Sequence, residues 1–218
     1  MKIVNLGQKN SVLNKFVSQM RDKDIQKDSM RFRRNLERLG EIFAYEISQT
    51  LNSTVKDVVT PLGIASVPVY DDKLVVATIL RAGLPLHQGI LNYFDDAESA
   101  FVSAYRKSRP DGSFIVDVEY VSTSSLAGKT LILVDPMLAT GTSLMLVYDA
   151  LIRRAGEPEH THFAAAFASE QGVDYVLKHT SPEKCTLWCA AVDEELTSKS
   201  YIVPGIGDAG DLAYGVKL

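Results

Sequence analysis

The run TLILVDPMLATGTSLMLVYDALIRRAG, from Thr130 to Gly156, decides the fold that we predict for this chain. Its start, up to Asp135, is short, branched and apolar, which is typical of a buried parallel strand. Its end, from Ser143 onward, has helical apolar spacing, arginines in the last turn and a terminating glycine. A strand, a loop of small residues and a helix therefore follow one another directly, as they do in α/β proteins.

The same alternation extends to both sides of this run. Short apolar segments predict further strands at 74–80, 99–105, 162–168 and 185–192, and amphipathic segments predict helices at 84–94 and 173–179. We therefore expect an α/β fold with a parallel twisted sheet flanked by helices. No linker divides the 218 residues, so we expect one domain spanning 1–218.

Two segments are predicted to be additions to this core. The segment 1–60 is expected to be helical, because apolar residues recur at three- and four-residue steps from Phe32 to Ile47. The segment 106–125 contains the turn signal Pro110-Asp111-Gly112 and alternating residues, which predict a β-hairpin flap. Such a flap either covers a site or pairs with a second subunit.

Composition excludes several classes of protein. The 23 Lys and Arg against 27 Asp and Glu give a net charge of -4, which argues against a nucleic-acid binder. The longest apolar runs are far shorter than the roughly 18 residues of a membrane-spanning helix, and the first residues do not resemble a signal peptide. Two cysteines suit a reducing compartment, so we expect a cytoplasmic protein without a membrane partner.

Two familiar patterns are rejected on their context. The run Gly205 to Gly210 fits the dinucleotide-binding pattern in letters, but too little chain follows it for that site. Cys185 and Cys189 would lie roughly 13 Å apart along a strand, too far for a shared metal ion.

The loop between the decisive strand and helix is the strongest functional signal. Small residues and hydroxyls at a helix N-terminus expose backbone N–H groups to an anion, which predicts a phosphate site. Asp135, at the carboxyl end of the strand, is placed to accept hydrogen bonds from sugar hydroxyls. The candidate residues of this loop are Asp135, Pro136, Met137, Leu138, Ala139, Thr140, Gly141, Thr142 and Ser143.

Two arginines also follow predicted strands directly. Arg81 follows the strand 74–80, and Arg106 follows the strand 99–105. An isolated arginine at such a place is usually a surface ion pair, but two beside a phosphate loop favour diphosphate binding. Near the C-terminus, YIVPGIGDAGD (Tyr201 to Asp211) offers exposed backbone groups that could bind the edge of a flat heterocycle, or could form an ordinary terminal loop.

Together these runs carry a resemblance to a known family. DPMLATGTS, LRAGL, the pair Tyr105-Arg106 and the terminal YIVPGIGDAGD resemble the uracil phosphoribosyltransferases, within the type I phosphoribosyltransferase superfamily. The resemblance extends over nearly the whole chain. It implies transfer of the phosphoribosyl group of 5-phospho-α-D-ribose 1-diphosphate to uracil, giving UMP and diphosphate.

The resemblance also implies roles for single residues. Arg81 and Arg106 would bind the diphosphate, and 135–143 would hold the ribose and the 5-phosphate. The C-terminal segment 200–218 would bind uracil through Ile202, Gly207, Asp208 and Ala209, with Asp208 also facing the phosphoribosyl donor. The expected catalytic residues are Arg81, Arg106, Asp135 and Asp208.

The family also suggests a cofactor and partners. Mg²⁺ would arrive with the diphosphate, with no protein ligand directly assigned. We further expect a homodimer or higher homo-oligomer, built through the flap and the N-terminal helices, with GTP as a possible activator.

Two departures from the family pattern leave alternatives open. Many relatives have glycine where this chain has Thr142, which should not impair phosphate binding. Relatives often carry Ala-Pro-Glu-Gly where this chain has Ser169-Glu170-Gln171-Gly172, near the expected site. The alternatives are a phosphoribosyltransferase for another base, a nucleotide-binding regulator with this fold, and a weakly active relative.

Overall fold

The elements of the computed structural model follow the strand–helix alternation of the sequence. It describes the backbone of residues 1–108 and 114–217, and the side chains of 1–104 and 118–217. The strands are β1 Lys2–Asn5, β2 Ser53–Thr60, β3 Gly63–Tyr70, β4 Leu74–Leu80, β5 Glu98–Ser108, β6 Phe114–Ser122, β7 Thr130–Val134, β8 Met137–Leu138, β9 His160–Ser169, β10 Cys185–Asp193, β11 Glu195–Leu196 and β12 Ile202–Val203. The helices are α1 Val12–Arg21, α2 Ser29–Ser48, α3 Leu84–Leu91, α4 Thr142–Ala155, α5 Glu170–His179 and α6 Ala209–Tyr214.

A mostly parallel sheet organises the structure. Its strands lie in the order β1-β10-β9-β7-β4-β5-β6, with β8 pairing β9. Every pair in this sheet is parallel except β5 with β6. The predicted α/β class and parallel sheet are confirmed, and β4, β7, β9 and β10 end at one common edge.

Apolar side chains bury both faces of this sheet. In β4, Val75, Ala77 and Ile79 pack into one cluster with residues of α4 and α5. The alternate residues Leu74 and Val76 pack into a second cluster with residues of α1, α2 and α3. Each large apolar side chain buried in this way stabilises the fold by about 1.5–3 kcal/mol. The helices therefore cover the sheet on both faces and leave its carboxyl edge for a site.

The expectation that 1–60 is helical is wrong at both ends. The helical spacing from Phe32 to Ile47 does form α2, and both of these side chains are buried. However, β1 pairs in parallel with β10 at the sheet edge, and β2 pairs with β3 as a separate antiparallel hairpin. The branched residues of β2 are neutral or unfavourable in a helix but suit a strand.

The flap segment begins as an extension of the sheet. The strands β5 and β6 are antiparallel, with an irregular register between Ser103 and Ala104. The predicted turn Pro110-Asp111-Gly112 lies outside the described residues, and so does the side chain of Arg106. No helix in the described part of the chain is long and apolar enough to span a membrane.

Candidate active site

A cavity of about 740 Å³ opens at the carboxyl edge of the sheet. It lies where β4 and β7 end, between the loop that precedes α4 and the segment around β12 and α6. Its walls are formed by Ile79, Leu80, Arg81, Ala82, Ser103, Ala104, Asp135, Met137, Leu138, Ala139, Thr140, Gly141, Ser143, Leu144, Lys199, Ser200, Tyr201, Ile202, Gly207, Asp208, Ala209, Gly210 and Lys217.

The cavity brings together most of the residues that the sequence singled out. Three predicted groups meet in it: Arg81, the loop 135–143 and the terminal loop with Ile202 and Asp208. Within the loop 135–143, Pro136 and Thr142 are set back from the cavity wall.

The loop 135–143 is shaped by its own backbone. Gly141 has φ +80°, and a Cβ on it would lie 2.9 Å from Cδ1 of Tyr175. Only glycine adopts this conformation without strain, so the chain can turn sharply into α4. Met137 N–H donates to Oδ1 of Asp135 at 3.2 Å, which orients that carboxylate at the strand end. The N-terminus of α4 therefore lies beside the cavity, where Gly141, Ser143 and Leu144 line the wall, as an anion site requires.

The segment Ser169–Gly172 supports this loop from behind. Ser169 Oγ donates to the carbonyl of Ala139 at 2.5 Å and accepts from Gly172 N–H at 2.9 Å. A Cβ on Gly172 would collide with the same carbonyl oxygen, so only glycine fits there. The departure from the family pattern in this segment therefore bears on the phosphate loop.

Arg81 is held by the C-terminal segment. Its Nη2 donates to the carbonyl of Gly215 at 2.6 Å and to Oδ1 of Asp211 at 3.2 Å. Its Nε is buried and has no hydrogen-bond partner among the described residues. The C-terminal segment therefore fixes the Arg81 guanidinium at the wall of the cavity.

The terminal loop presents backbone and carboxylate groups to the cavity. Asp208 caps α6, because its Oδ1 accepts from Asp211 N–H at 2.9 Å. Gly207 has φ +88° with open space around its Cα, so its peptide groups are not shielded by a side chain. Ile202 is 4% exposed and anchors the loop in the core.

The sequence did not single out several residues of the site. Lys199 and Lys217 line the cavity and add positive charge to that of Arg81. Asp211 lies within the terminal run but was given no role. The basic residues on either side of that run were the one signal that could have indicated a larger anion site.

Comparison with known proteins agrees with this geometry. A family model described as uracil phosphoribosyltransferase matches residues 8–216. The chain belongs to the uracil phosphoribosyltransferase family. A relative of that name from Porphyromonas gingivalis is 53% identical over 218 residues, covering 100% of both chains. Another from Methanothermobacter thermautotrophicus is 38% identical over 190 residues, covering 86% of this chain and 85% of its own.

A solved structure resembles the whole fold. The AQ2163 protein from Aquifex aeolicus has a TM-score of 0.85 and 27% identity, with 99% of each chain covered. The likeness extends over the whole chain and includes the mostly parallel sheet with helices on both faces.

Proposed function

We propose that the cavity binds 5-phospho-α-D-ribose 1-diphosphate and uracil and transfers the phosphoribosyl group, giving UMP and diphosphate. This reaction salvages the free pyrimidine base as a nucleotide. One observation carries the assignment: a single cavity joins a phosphate loop, an arginine and a loop with accessible backbone groups. Family membership supports uracil as the acceptor.

The donor fits along the floor of the cavity. Its 5-phosphate lies on the N–H groups around Thr140 and Gly141, where the partial positive charge of the α4 N-terminus is felt. Asp135 accepts hydrogen bonds from the ribose hydroxyls. The diphosphate lies against Arg81, with Lys217 beside it. The family resemblance adds Arg106 as a second diphosphate ligand. The phosphates of the donor thus meet positive charge, and its ribose hydroxyls meet a hydrogen-bond acceptor.

Uracil fits against the terminal loop. The backbone groups of Ile202, Gly207 and Ala209 bind the polar edge of the base, and Asp208 lies between base and donor. Because backbone donors and acceptors stand in a fixed order, they distinguish one heterocycle from another.

Positioning is the main contribution of the protein to the reaction. A ring nitrogen of uracil attacks the anomeric carbon and loses its proton to water or to the diphosphate. The bond from that carbon to diphosphate breaks, and the electron pair leaves with diphosphate. The anomeric carbon is inverted. Holding the reactants in line removes much of the entropic barrier, and Arg81 stabilises the charge that develops on the leaving group. The flap restricts water, which would otherwise hydrolyse the donor.

The acidic residues of the cavity are compatible with Mg²⁺. No cluster of three or more metal-ligating side chains occurs in the described part of the chain. Mg²⁺ is commonly bound through one or two carboxylates plus substrate phosphates, and Asp135 and Asp208 both line the cavity. When bound with the diphosphate, Mg²⁺ would neutralise charge on the leaving group.

We further propose that the chain forms a homo-oligomer in the cytoplasm. The hairpin of β2 and β3 supports this, because it exposes apolar side chains such as Val59 (83%) and Ile64 (72%). The buried thiols of Cys185 and Cys189 are consistent with a reducing compartment. Activation by GTP rests on the family resemblance and is tested by adding GTP to the assay below.

The decisive experiment is detection of UMP from uracil, the phosphoribosyl donor and Mg²⁺. We expect UMP with uracil, and neither OMP nor IMP when orotate or hypoxanthine replaces it. The variant Asp135→Asn should lower turnover by at least about tenfold, corresponding to about 1.4 kcal/mol, while its melting temperature stays near that of the wild type. Failure of the wild type to form UMP would overturn the proposal, and normal turnover of Asp135→Asn would remove that residue from the ribose site.

A further inference from the structure

We infer that Arg21 and Asp193 form a positioning pair that sets the affinity for uracil from behind the base-binding loop. Neither residue lines the cavity. The inference rests on the proposed function, because it requires uracil to bind against Gly207, Asp208 and Ala209.

The pair is a two-point contact between distant parts of the chain. Arg21 Nη1 and Nη2 donate to Oδ2 and Oδ1 of Asp193 at 2.9 and 2.7 Å. Arg21 ends α1, and Asp193 ends β10 at the carboxyl edge of the sheet. The Asp193 side chain is 8% exposed and that of Arg21 is 25% exposed. The planar guanidinium also lies over the buried ring of Phe167, 4.9 Å from its centre. These contacts fix the orientation of both planes.

Both members of the pair bind the backbone of Gly205. Arg21 Nη1 donates to the Gly205 carbonyl at 3.0 Å, and the Gly205 N–H donates to Asp193 Oδ2 at 3.1 Å. The N–H and the carbonyl of Gly205 are therefore both held by one ion pair. Gly205 itself has φ +50°, and a Cβ on it would collide with the carbonyl oxygen of Ile202.

A third side chain holds the next residue. The Gln26 amide, oriented so that its nitrogen faces acceptors, donates to the carbonyl of Ile206 at 2.8 Å and to that of Met20 at 3.2 Å. The two residues before Gly207 are thus tied down by groups outside the cavity. Gly207 follows them with φ +88°, and a Cβ built on it would meet no heavy atom within 4 Å among the described residues.

The direction of the groups that meet uracil depends on these contacts. In the proposed complex the loop binds the base through peptide groups. Because a peptide group is planar, the direction of its N–H and carbonyl is set by the backbone dihedral angles of the residues on either side. Rotation at Gly205 would turn the following N–H and carbonyl groups away from the base. The loop 135–143 belongs to another element. Arg81 is held by Asp211 and Gly215, which lie beyond the start of α6 that Asp208 caps, so we expect both to keep their positions. Loss of the pair should therefore weaken uracil binding selectively.

The test uses steady-state kinetics with uracil and the phosphoribosyl donor varied independently. The variants are Arg21→Lys, Asp193→Asn and the double variant. Lysine cannot make the two-point contact of the guanidinium, and asparagine has the shape of aspartate without its negative charge. Arg34→Lys is the matched control, because Arg34 pairs with Glu37 on α2 without lining the cavity. Melting temperatures identify any variant that is broadly destabilised.

We expect each single variant to raise KM for uracil at least tenfold and to change KM for the donor less than twofold. The double variant should raise KM for uracil by less than the product of the two single effects, because the contact between Arg21 and Asp193 is broken in either single variant. Arg34→Lys should match the wild type. An unchanged KM for uracil, an equal rise in both KM values, or additive effects would overturn the inference while leaving the proposed function intact. A wild type that forms no UMP would overturn both.

Discussion

Arg81 donates from Nη2 to the carbonyl of Gly215 at 2.6 Å, although 134 residues separate the two in the chain. Asp211 accepts from the same nitrogen at 3.2 Å. The C-terminal segment therefore sets the direction of the arginine that we place against the diphosphate.

The variant Asp211→Asn tests this arrangement. A partly exposed ion pair contributes about 1 kcal/mol at most, so we expect KM for the phosphoribosyl donor to rise about fivefold. KM for uracil should change less than twofold. Asp149→Asn, at an exposed position of α4, is the control. A fall in KM for the donor would show instead that Asp211 competes with the diphosphate for Arg81.

Gly141 offers a second test, because its backbone conformation shapes the phosphate loop. A left-handed conformation costs an alanine about 1–2 kcal/mol, and the added Cβ would also press on Tyr175. We expect Gly141→Ala to lower stability and to raise KM for the donor several-fold, measured by urea unfolding and steady-state kinetics.

Gly128→Ala is the matched control for this change. Gly128 also has positive φ, +69°, but a Cβ on it would meet no heavy atom within 4 Å, and it precedes β7 at the opposite end of that strand. Gly128→Ala should lose a similar amount of stability and leave KM for the donor unchanged. Equal kinetic effects in both variants would mean that Gly141 acts through general stability alone.

Local signals made much of the fold and part of the site predictable. The strand 74–80 was predicted with the bounds of β4, because an unbroken apolar run stands between turn residues. The loop 135–143 was recognised because its strand, small residues and helix are contiguous. The hairpin of β2 and β3 was missed because the helical spacing from Phe32 to Ile47 was extended to the whole of 1–60, although the branched residues of β2 suit a strand.

The supporting contacts of the site could not be predicted in this way. Arg21 and Asp193 are 172 residues apart, and Arg81 and Asp211 are 130 apart. In the sequence, Arg21 is an arginine at the end of a helix, and nothing near it indicates a partner. Only the folded sheet brings the end of β10, with Asp193, beside it. The side chain of Arg106 lies outside the described residues, so its diphosphate role stays a prediction.

The exposed hairpin predicts how subunits associate. Val59 and Ile64 are cross-strand partners, so their side chains lie on the same face. We expect Val59→Glu with Ile64→Glu to reduce the assembly measured by analytical ultracentrifugation, because two buried charges would be unpaired in an interface. Tyr93→Glu, at an exposed position after α3 and outside both the flap and the N-terminal helices, should leave the assembly unchanged. An unaltered mass in the double variant would place the interface elsewhere.

Acid stability depends on a buried histidine far from the active site. His162 is 3% exposed, and its Nδ1 accepts from Nε1 of Trp188 at 3.1 Å. Burial, followed by the neighbouring charge of His160, lowers the pKa of His162 to about 3 from 6.5. As pH falls below 6.5, the unfolded chain takes up a proton at this residue and the folded chain does not. Stability is therefore lost as pH falls, by about 1.4 kcal/mol for each pH unit below 6.5 until the folded pKa is reached.

The variant His162→Asn isolates this contribution. Asparagine keeps an oxygen to accept from Trp188 but does not titrate in this range. We expect the variant to be less stable at pH 7, because it leaves a small cavity. Its free energy of unfolding should decline less between pH 6.5 and pH 5, by about 2 kcal/mol relative to the wild type. Urea unfolding at both pH values measures the difference, and parallel declines would show that His162 is protonated in the folded chain as readily as in the unfolded one.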